Sequence, residues 1–367
     1  MGIPSPAVTL PTCVVLFLVG AGGCTGTNTG DPGSPVDAYA GDTPETAVTE
    51  DGDAGPGPGE PDGGEISEPA PDVPEAIQDS GEPEALCPTA QIHIEEGTQV
   101  LPQTLLHLDG SQSGEGGPLI VAYEWTVQQP DGSSAVFKPN STIATPTFLV
   151  NVAGEYTFTL MVWDEFGVPS CEPAVVTVMV QPGDGIHIEL LWDTPGDIDQ
   201  TDQGPQAGAD MDLHFAHWMS MGQGPNADGA WDGWFDQPFD CFWFNPVPNW
   251  GNLDPTVADD PTLDLDDTDG AGPEILNLVL PESGLSADDR YKIGVHHWSD
   301  NGHGPSVPEV RIYINGELTY SQHGPTMDGH DLWFVGEIAW PSGEVTPLEA
   351  DGGAVLIEDY SSPFMPN

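Results

Sequence analysis

Acidic side chains cluster at two places in the C-terminal half of this 367-residue chain, and their spacing favours a metal site. If the residues from Asp210 onward form a strand, alternation places Asp210, Asp212 and His214 on one face. Two carboxylates on one face repel each other unless a cation lies between them. The second place is the segment 264–274, where four Asp in six residues precede two glycines and a glutamate.

Calcium is the cation that this pattern suits, because Ca²⁺ takes six to eight oxygen ligands. The segment differs from an EF-hand loop, in which a glycine follows an acidic residue at the fifth position and helices flank the loop. Here Thr268 is fifth, and the flanking residues are typical of strands. The alternative is a solvated acidic loop that holds no ion. The predicted ligands of a structural calcium ion are Asp210, Asp212, Asp264, Asp266, Asp269 and Glu274.

The connection between the two acidic places, 231–250, is rich in Trp and Phe. If they are exposed, Trp234 and Trp243 could stack on sugars, as in a carbohydrate-binding module or a glycan-active hydrolase. If they are buried, the rings form a second small core, and the large area that aromatic rings bury favours this interpretation. Eight of the ten histidines also lie after residue 184, and we expect them to hydrogen-bond at strand edges and in loops rather than bind zinc.

Catalytic motifs are missing from the sequence. It contains no nucleophile elbow, phosphate-binding loop or dinucleotide fingerprint. Carboxylates are numerous enough to supply a pair for glycoside hydrolysis, but their abundance alone does not indicate an active site. The sequence therefore predicts a non-catalytic protein.

The charge of the chain excludes some classes of partner. With 60 acidic and 4 basic residues, the formal net charge is -56. Nucleic-acid backbones and anionic lipid headgroups would be repelled, so neither is a predicted partner. The 46 Gly and 39 Pro residues argue against long helices, and the length predicts two or three domains.

The N-terminal segment, 1–23, has the features of a signal peptide. Its apolar run, 14–20, is too short to span a bilayer. The small residues before Cys24 resemble the lipobox of bacterial lipoproteins. This resemblance implies cleavage before Cys24, lipidation of that residue and, because Thr25 follows, location in the outer membrane, with the lipid as the only membrane contact. The alternative is a simple signal peptide in which Cys24 is incidental.

The segment 24–86 is predicted to be a disordered tether. It carries 16 acidic residues, no basic residue and many Pro and Gly residues, with one aromatic residue, Tyr39. Such a composition cannot bury enough apolar surface to offset the entropy of ordering the chain. The tether would hold the folded part away from a membrane, or it is a spacer whose length is immaterial.

Residues 87–182 contain six short segments of alternating apolar residues bounded by turns, which is typical of an immunoglobulin-like sandwich. The motifs LDGSQS from Leu108, YEW from Tyr123 and GEYTFTL from Gly154 resemble the polycystic-kidney-disease (PKD) domain of bacterial surface proteins. This resemblance implies a spacer or adhesive module without catalytic activity.

Residues 184–350 are predicted to form a larger, jelly-roll-like β-sandwich, so the whole chain is all-β, with a tail over 351–367. Within it, Asn315-Gly316 between two alternating segments predicts a hairpin with a type I′ turn. The DxDLH motif from Asp210, the acidic segment 264–274 and the YxxGVHxW motif from Tyr291 together resemble an uncharacterised module of bacterial surface proteins. This resemblance implies a surface location and a β-sandwich fold.

The cysteines support export. Cys87 and Cys171 lie at opposite ends of the first sandwich sequence, where strand ends can meet, and we predict a disulfide between them, as in proteins of oxidising compartments. Cys241 is predicted to be a buried free thiol. The sequence thus predicts a lipid-anchored surface protein for display or adhesion, whose cell-surface or matrix ligand it does not identify.

Overall fold

A computed structural model describes residues 87–114, 117–201, 207–221 and 233–360. The predicted signal peptide 1–23, the lipidation site Cys24 and the tether 24–86 lie outside the described residues, as does the end of the tail, 361–367. The described residues form two β-sandwiches, and within them no helix is long and apolar enough to cross a membrane.

The first sandwich consists of seven strands in two sheets. One sheet has the order β1-β3-β5 and the other has the order β2-β7-β6-β4. All neighbouring strands are antiparallel except β2 and β7. The strands are β1 (His93–Ile94), β2 (Gln99–Val100), β3 (Thr104–Asp109), β4 (Ile120–Gln128), β5 (Thr147–Val150), β6 (Gly154–Asp164) and β7 (Ala174–Val180).

Alternation along the strands builds the core of the first sandwich. In β6 every second side chain is fully buried, including Tyr156, Phe158 and Leu160. Trp125 on β4 is 2% exposed, and its Nε1 donates a hydrogen bond to the carbonyl oxygen of Ile143 at 2.9 Å. The predicted immunoglobulin-like sandwich is confirmed.

A disulfide joins Cys87 to Cys171, whose Cα atoms are 5.1 Å apart. The predicted pairing is therefore found, and the bond ties the start of the first sandwich to the turn before β7. Cys241 is a buried free thiol, and burial raises its pKa well above the ordinary value.

The second sandwich pairs a seven-stranded sheet with a five-stranded sheet. The larger sheet has the order β10-β9-β13-β16-β19-β18, with β17 also paired to β16, and the smaller has the order β11-β12-β8-β14-β15. The strands are β8 (Ile186–Asp193), β9 (Asp210–Ala216), β10 (Asp240–Cys241), β11 (Thr262–Leu265), β12 (Glu274–Leu278), β13 (Tyr291–Ser299), β14 (Val307–Ile314), β15 (Glu317–His323), β16 (Leu332–Ala339), β17 (Glu344–Pro347), β18 (Glu349–Ala350) and β19 (Gly353–Ile357).

The chain crosses repeatedly between the two sheets of the second sandwich, for example from β8 to β9 and from β12 to β13. Every neighbouring pair of strands is antiparallel, so the predicted two-sheet sandwich is confirmed. The predicted hairpin lies between β14 and β15, and both Asn315 and Gly316 have positive φ, as a type I′ turn requires.

Both faces of the central strand β9 are buried. Met211, Leu213 and Phe215 point into the main core between the sheets. The opposite face is covered by part of the aromatic connection, including Trp234 and Phe242, which belong to a separate small core. Polar residues on that face of β9 are therefore enclosed.

The two sandwiches contact each other through β8 and β14. Glu189 on β8 is fully buried, and its Oε1 accepts a hydrogen bond from the backbone amide of Ala153 at 2.6 Å. Arg311 on β14 donates from Nη1 to the carbonyl oxygen of Asp131 at 2.9 Å. These bonds fix one sandwich against the other.

Candidate functional site

Four of the six predicted calcium ligands come together at one edge of the second sandwich. Asp210 and Asp212 lie on β9, Asp266 directly follows β11, and Glu274 begins β12. One carboxylate oxygen from each of Asp212, Asp266 and Glu274 lies within 4.8 Å of the other two. Asp210 lines the same cavity as Asp212 and Asp266. We call these four residues the carboxylate cluster.

Trp192 holds the acidic turn against the start of β9. Its Nε1 donates hydrogen bonds to the carbonyl oxygens of Ala209, at 3.1 Å, and Gly270, at 3.0 Å. Gly272 has φ +80°, and a Cβ there would lie 2.8 Å from the carbonyl oxygen of Leu190. The glycines therefore let the turn approach β8 closely, which places Glu274 opposite β9.

The cluster contains buried oxygens without a hydrogen-bond donor among the described residues. Glu274 is fully buried; its Oε2 accepts from the amide of Leu213 at 2.6 Å, whereas its Oε1 has no partner. Asp212 is 3% exposed and its Oδ2 has no hydrogen-bond partner, and the same holds for Oδ1 of Asp210. Buried charged oxygens of this kind are costly unless a cation compensates them.

The carboxylates raise one another's pKa. Burial, and then the charge of Asp266, raise the pKa of Asp210 to about 7. Burial and the neighbouring carboxylates raise the pKa values of Asp212 and Glu274 well above the ordinary range. In the absence of a cation the cluster therefore retains protons that ordinary carboxyl groups have lost at neutral pH.

Protein cations do not neutralise the cluster among the described ion pairs. Arg290 and Arg311 pair with glutamates outside it. Nδ1 of His296 lies 3.7 Å from Oδ2 of Asp212, but burial lowers the pKa of His296 well below its ordinary value, so the ring is neutral at physiological pH. A bound metal ion is the remaining source of positive charge, and a donor set made only of carboxylates fits a hard cation such as Ca²⁺.

Two predicted ligands, Asp264 and Asp269, are not part of the cluster. Asp264 is exposed on β11, where its Oδ2 accepts from Nδ2 of Asn277 at 2.6 Å. Oδ1 of Asp269 accepts from the amides of Gly208, at 2.5 Å, and Gly270, at 3.0 Å. Asp269 therefore braces the acidic turn against the segment before β9.

A cavity of about 190 Å³ opens beside the cluster. Trp243 and Trp298, both half-buried, contribute its apolar wall, with 5.2 Å between ring centroids and 65° between ring planes. Sequence reasoning missed Trp298, although it lies two residues after His296 on β13 and therefore on the same face of the strand. The full lining is Asp210, Asp212, Trp243, Asp266, Thr268 and Trp298.

Trp234 does not fulfil the predicted sugar-stacking role. It is 1% exposed, and its ring packs edge-on against Phe334, with 5.0 Å between centroids. A ring enclosed in this way cannot present a face to a ligand, so for Trp234 the alternative of a buried aromatic core is the correct one. Trp231, in the same connection, lies outside the described residues.

Histidines of the second sandwich are more deeply buried than the sequence suggested. His214 is fully buried, and its Nδ1 lies 2.7 Å from Oδ2 of the equally buried Asp240, which also accepts from the amide of Phe235 at 2.7 Å. His296 is fully buried, and neither of its ring nitrogens has a hydrogen-bond partner among the described residues. The expectation that the histidines lie at strand edges and in loops is wrong for these two, because the aromatic connection covers them.

A smaller acidic group lies on the first sandwich. It consists of Glu95, Glu96 and His107. His107 is exposed, and its Nδ1 lies 2.6 Å from Oε1 of Glu96. The contact with Glu96 raises the pKa of His107, so this group is a surface ion pair rather than a set of uncompensated carboxylates.

Comparison with known proteins identifies the first sandwich. Residues 96–180 match a family model that describes a PKD domain, so this part of the chain is a PKD domain. No curated protein matches the chain.

Solved structures show partial likeness to the chain. The solution structure of the PKD domain from KIAA 1837 protein has 27% identity, covers 26% of this chain and 91% of that one, and has a TM-score of 0.22. A structure of carbohydrate-binding modules from the β-sandwich superfamily has 13% identity, covers 65% and 100%, and has a TM-score of 0.22. The Yersinia pseudotuberculosis adhesin InvE has 9% identity, covers 72% of each chain, and has a TM-score of 0.18. Likeness at these TM-scores does not extend to function.

Proposed function

We propose that this chain is a non-catalytic protein of the bacterial cell surface, acting in display or adhesion, and that its second sandwich binds a structural calcium ion. The observation that carries the calcium proposal is the carboxylate cluster, where oxygens of Asp212, Asp266 and Glu274 converge within 4.8 Å. Two of these side chains are buried and each has an oxygen without a donor. An ion there would neutralise the cluster and pin the acidic turn to β9.

Three features support a surface location. The chain contains a PKD domain, and the Cys87–Cys171 disulfide suits an oxidising compartment. The short apolar run 14–20 precedes Cys24, which we propose as the lipid-bearing residue in the outer membrane. Mass spectrometry of the mature N-terminus tests the anchor: a diacylglyceryl-modified Cys24 supports it, and an unmodified thiol there contradicts it.

Calcium binding is tested by scanning calorimetry of the full chain in excess calcium and in EDTA. Because the ion binds the native state and not the unfolded chain, calcium raises the melting temperature of the second sandwich, and saturation at about 100 times Kd corresponds to about 2.7 kcal/mol. The first sandwich serves as an internal reference whose transition does not move.

The matched pair of variants is Asp266→Asn and Asp264→Asn. Both side chains are exposed and lie two residues apart, but only Asp266 belongs to the carboxylate cluster. Asp266→Asn should remove most of the calcium-dependent rise, and Asp264→Asn should retain it. The absence of a rise in the unaltered chain, or equal losses in the two variants, would overturn the proposal.

A further inference from the structure

We propose that the carboxylate cluster and the two tryptophans beside it form one calcium-dependent binding site for a neutral saccharide. In this arrangement, sugar hydroxyls complete the coordination of the ion while the apolar face of the sugar ring contacts Trp243 or Trp298. The inference rests on the proposed calcium site and adds the class of ligand that the site recognises.

The number of protein ligands leaves room for a ligand on the ion. Ca²⁺ takes six to eight oxygens. Asp212, Asp266 and Glu274 supply one oxygen each within the 4.8 Å group, and Asp210 can supply a fourth. Water or ligand hydroxyls must therefore provide the remaining oxygens. A pair of adjacent sugar hydroxyls replaces two waters at once and so gains affinity for the ion.

The cavity fixes the side from which a ligand approaches. Glu274 is fully buried and closes the inner side of the cluster. Asp212 is also buried, its Oδ2 has no hydrogen-bond partner, and its side chain lines the cavity. The outward side is the space shared with Trp243 and Trp298, so non-protein ligands of the ion would lie against these rings.

The aromatic wall suits a pyranose ring, which has a face of C–H groups and a rim of hydroxyls. Trp243 and Trp298 are half-buried, and their planes meet at 65°, which makes an angled apolar wall. The cavity volume of about 190 Å³ is small. It is below the range of about 300–1,000 Å³ that is common for drug-sized ligands, so it suits a single sugar unit of a longer glycan.

Charge selects a neutral sugar over an acidic one. The cavity is lined by Asp210, Asp212 and Asp266, and the chain as a whole carries a formal net charge of -56. A uronic or sialic acid would meet this negative potential, whereas a neutral hexose would not.

The experiment is a titration of the calcium-loaded full chain with methyl glycosides of glucose, mannose, galactose and fucose, and with neutral polysaccharides on a surface. At least one of these neutral probes should bind in calcium, and its binding should be lost in EDTA. Glucuronic acid and sialic acid, the charged probes, should bind at least tenfold more weakly.

The variant Trp298→Ala removes one wall of the cavity without removing a calcium ligand. It should weaken sugar binding about tenfold or more and leave the calcium-dependent rise in melting temperature unchanged. Trp298→Phe retains a ring and should recover part of the affinity, which guards against misfolding of the alanine variant. The control is Trp340→Ala, a half-buried tryptophan packed on the main core outside the cavity, which should leave sugar binding intact.

The outcomes separate this inference from the calcium proposal. If calcium raises the melting temperature but no neutral probe binds, or if binding survives EDTA or the loss of Trp298, the saccharide site is refuted and the calcium site stands. If calcium has no effect on melting, both are refuted.

Discussion

Oε1 of Glu189, on the second sandwich, accepts a hydrogen bond from the backbone amide of Ala153, on the first, at 2.6 Å. Glu189 is fully buried, and the hydroxyl of Tyr313 donates to its Oε2 at 3.4 Å, while Nε2 of His187 lies 3.3 Å from its Oε1. A buried carboxylate with these partners links the two sandwiches, so that a surface site on one is held in a defined orientation by the other.

Replacing Glu189 by alanine should uncouple the two sandwiches. The substitution leaves the amide of Ala153 buried without an acceptor, which costs about 1–3 kcal/mol. In calorimetry we expect a lower first transition and a wider separation between the transitions of the two sandwiches. Glu189→Gln retains an acceptor oxygen and should lie closer to the unaltered chain. Glu124→Ala, at an exposed position of β4, is the control; a similar change in that variant would remove the special role of Glu189.

Calcium and protons should compete at the cluster. Native Asp210 retains its proton up to about pH 7, compared with an ordinary pKa of 3.8, so in calcium-free protein the native state binds more protons than the unfolded state between these values. Its stabilising effect is therefore fully present below 3.8 and is lost as the pH rises through about 7. Calcium reverses this trend, because it binds the ionised carboxylates.

The measurement is the melting temperature of the unaltered chain and of Asp210→Asn at a series of pH values between about 5 and 8, with calcium or EDTA. In EDTA, the unaltered chain should fall relative to the variant as the pH rises. In calcium, it should instead exceed the variant at the upper end. Parallel curves for the two proteins under both conditions would show that Asp210 titrates normally and lies outside the metal site.

Local sequence pattern was sufficient for several of these features. Alternation along β6 indicates its buried face, and Asn315-Gly316 specifies the turn between β14 and β15. Alternation also places Asp210 and Asp212 on one face of β9. Each of these features depends only on the geometry of one strand or one turn, which neighbouring residues determine.

The composition of the carboxylate cluster depends on contacts between distant segments, which one sequence does not reveal. Asp264 and Asp266 would share a face in a regular strand, but β11 has a bulge between Leu263 and Leu265 and ends there, so their side chains separate. The cavity needs β13 beside β9, where His296 pairs with Asp212, before Trp298 can reach the cluster. Spacing alone therefore grouped six acidic residues where the fold groups four.

The buried pair of His214 and Asp240 should be important for the stability of the small aromatic core. Asp240→Ala leaves Nδ1 of His214 and the amide of Phe235 without their acceptor, and each unpaired buried donor costs about 1–3 kcal/mol. Urea unfolding should show a loss of several kcal/mol for alanine and a smaller loss for Asp240→Asn, which retains one acceptor oxygen. Asp288→Ala, at an exposed position, is the control and should be neutral. If both substitutions of Asp240 are also neutral, the aromatic core does not depend on this pair.

Close packing of the acidic turn against β8 should govern calcium affinity. Gly272 has φ +80°, and a Cβ there would lie 2.8 Å from the carbonyl oxygen of Leu190 and 2.9 Å from the ring of Trp192. Gly272→Ala must therefore displace the turn that leads into Glu274, which moves a buried oxygen of the cluster. We expect calcium binding, measured by titration calorimetry, to weaken at least tenfold.

Gly302→Ala separates this effect from backbone strain alone. Gly302 has φ +89°, similar to that of Gly272, but a Cβ there meets nothing within 4 Å. Both substitutions incur the cost of a left-handed conformation, about 1 kcal/mol, whereas only Gly272→Ala also creates a collision at the cluster. Gly302→Ala should therefore lower the melting temperature slightly and leave the calcium affinity unchanged. If the two variants bind calcium equally well, the position of Glu274 does not depend on the packing of this turn, and the ion is held by the carboxylates of β9 and Asp266 without it.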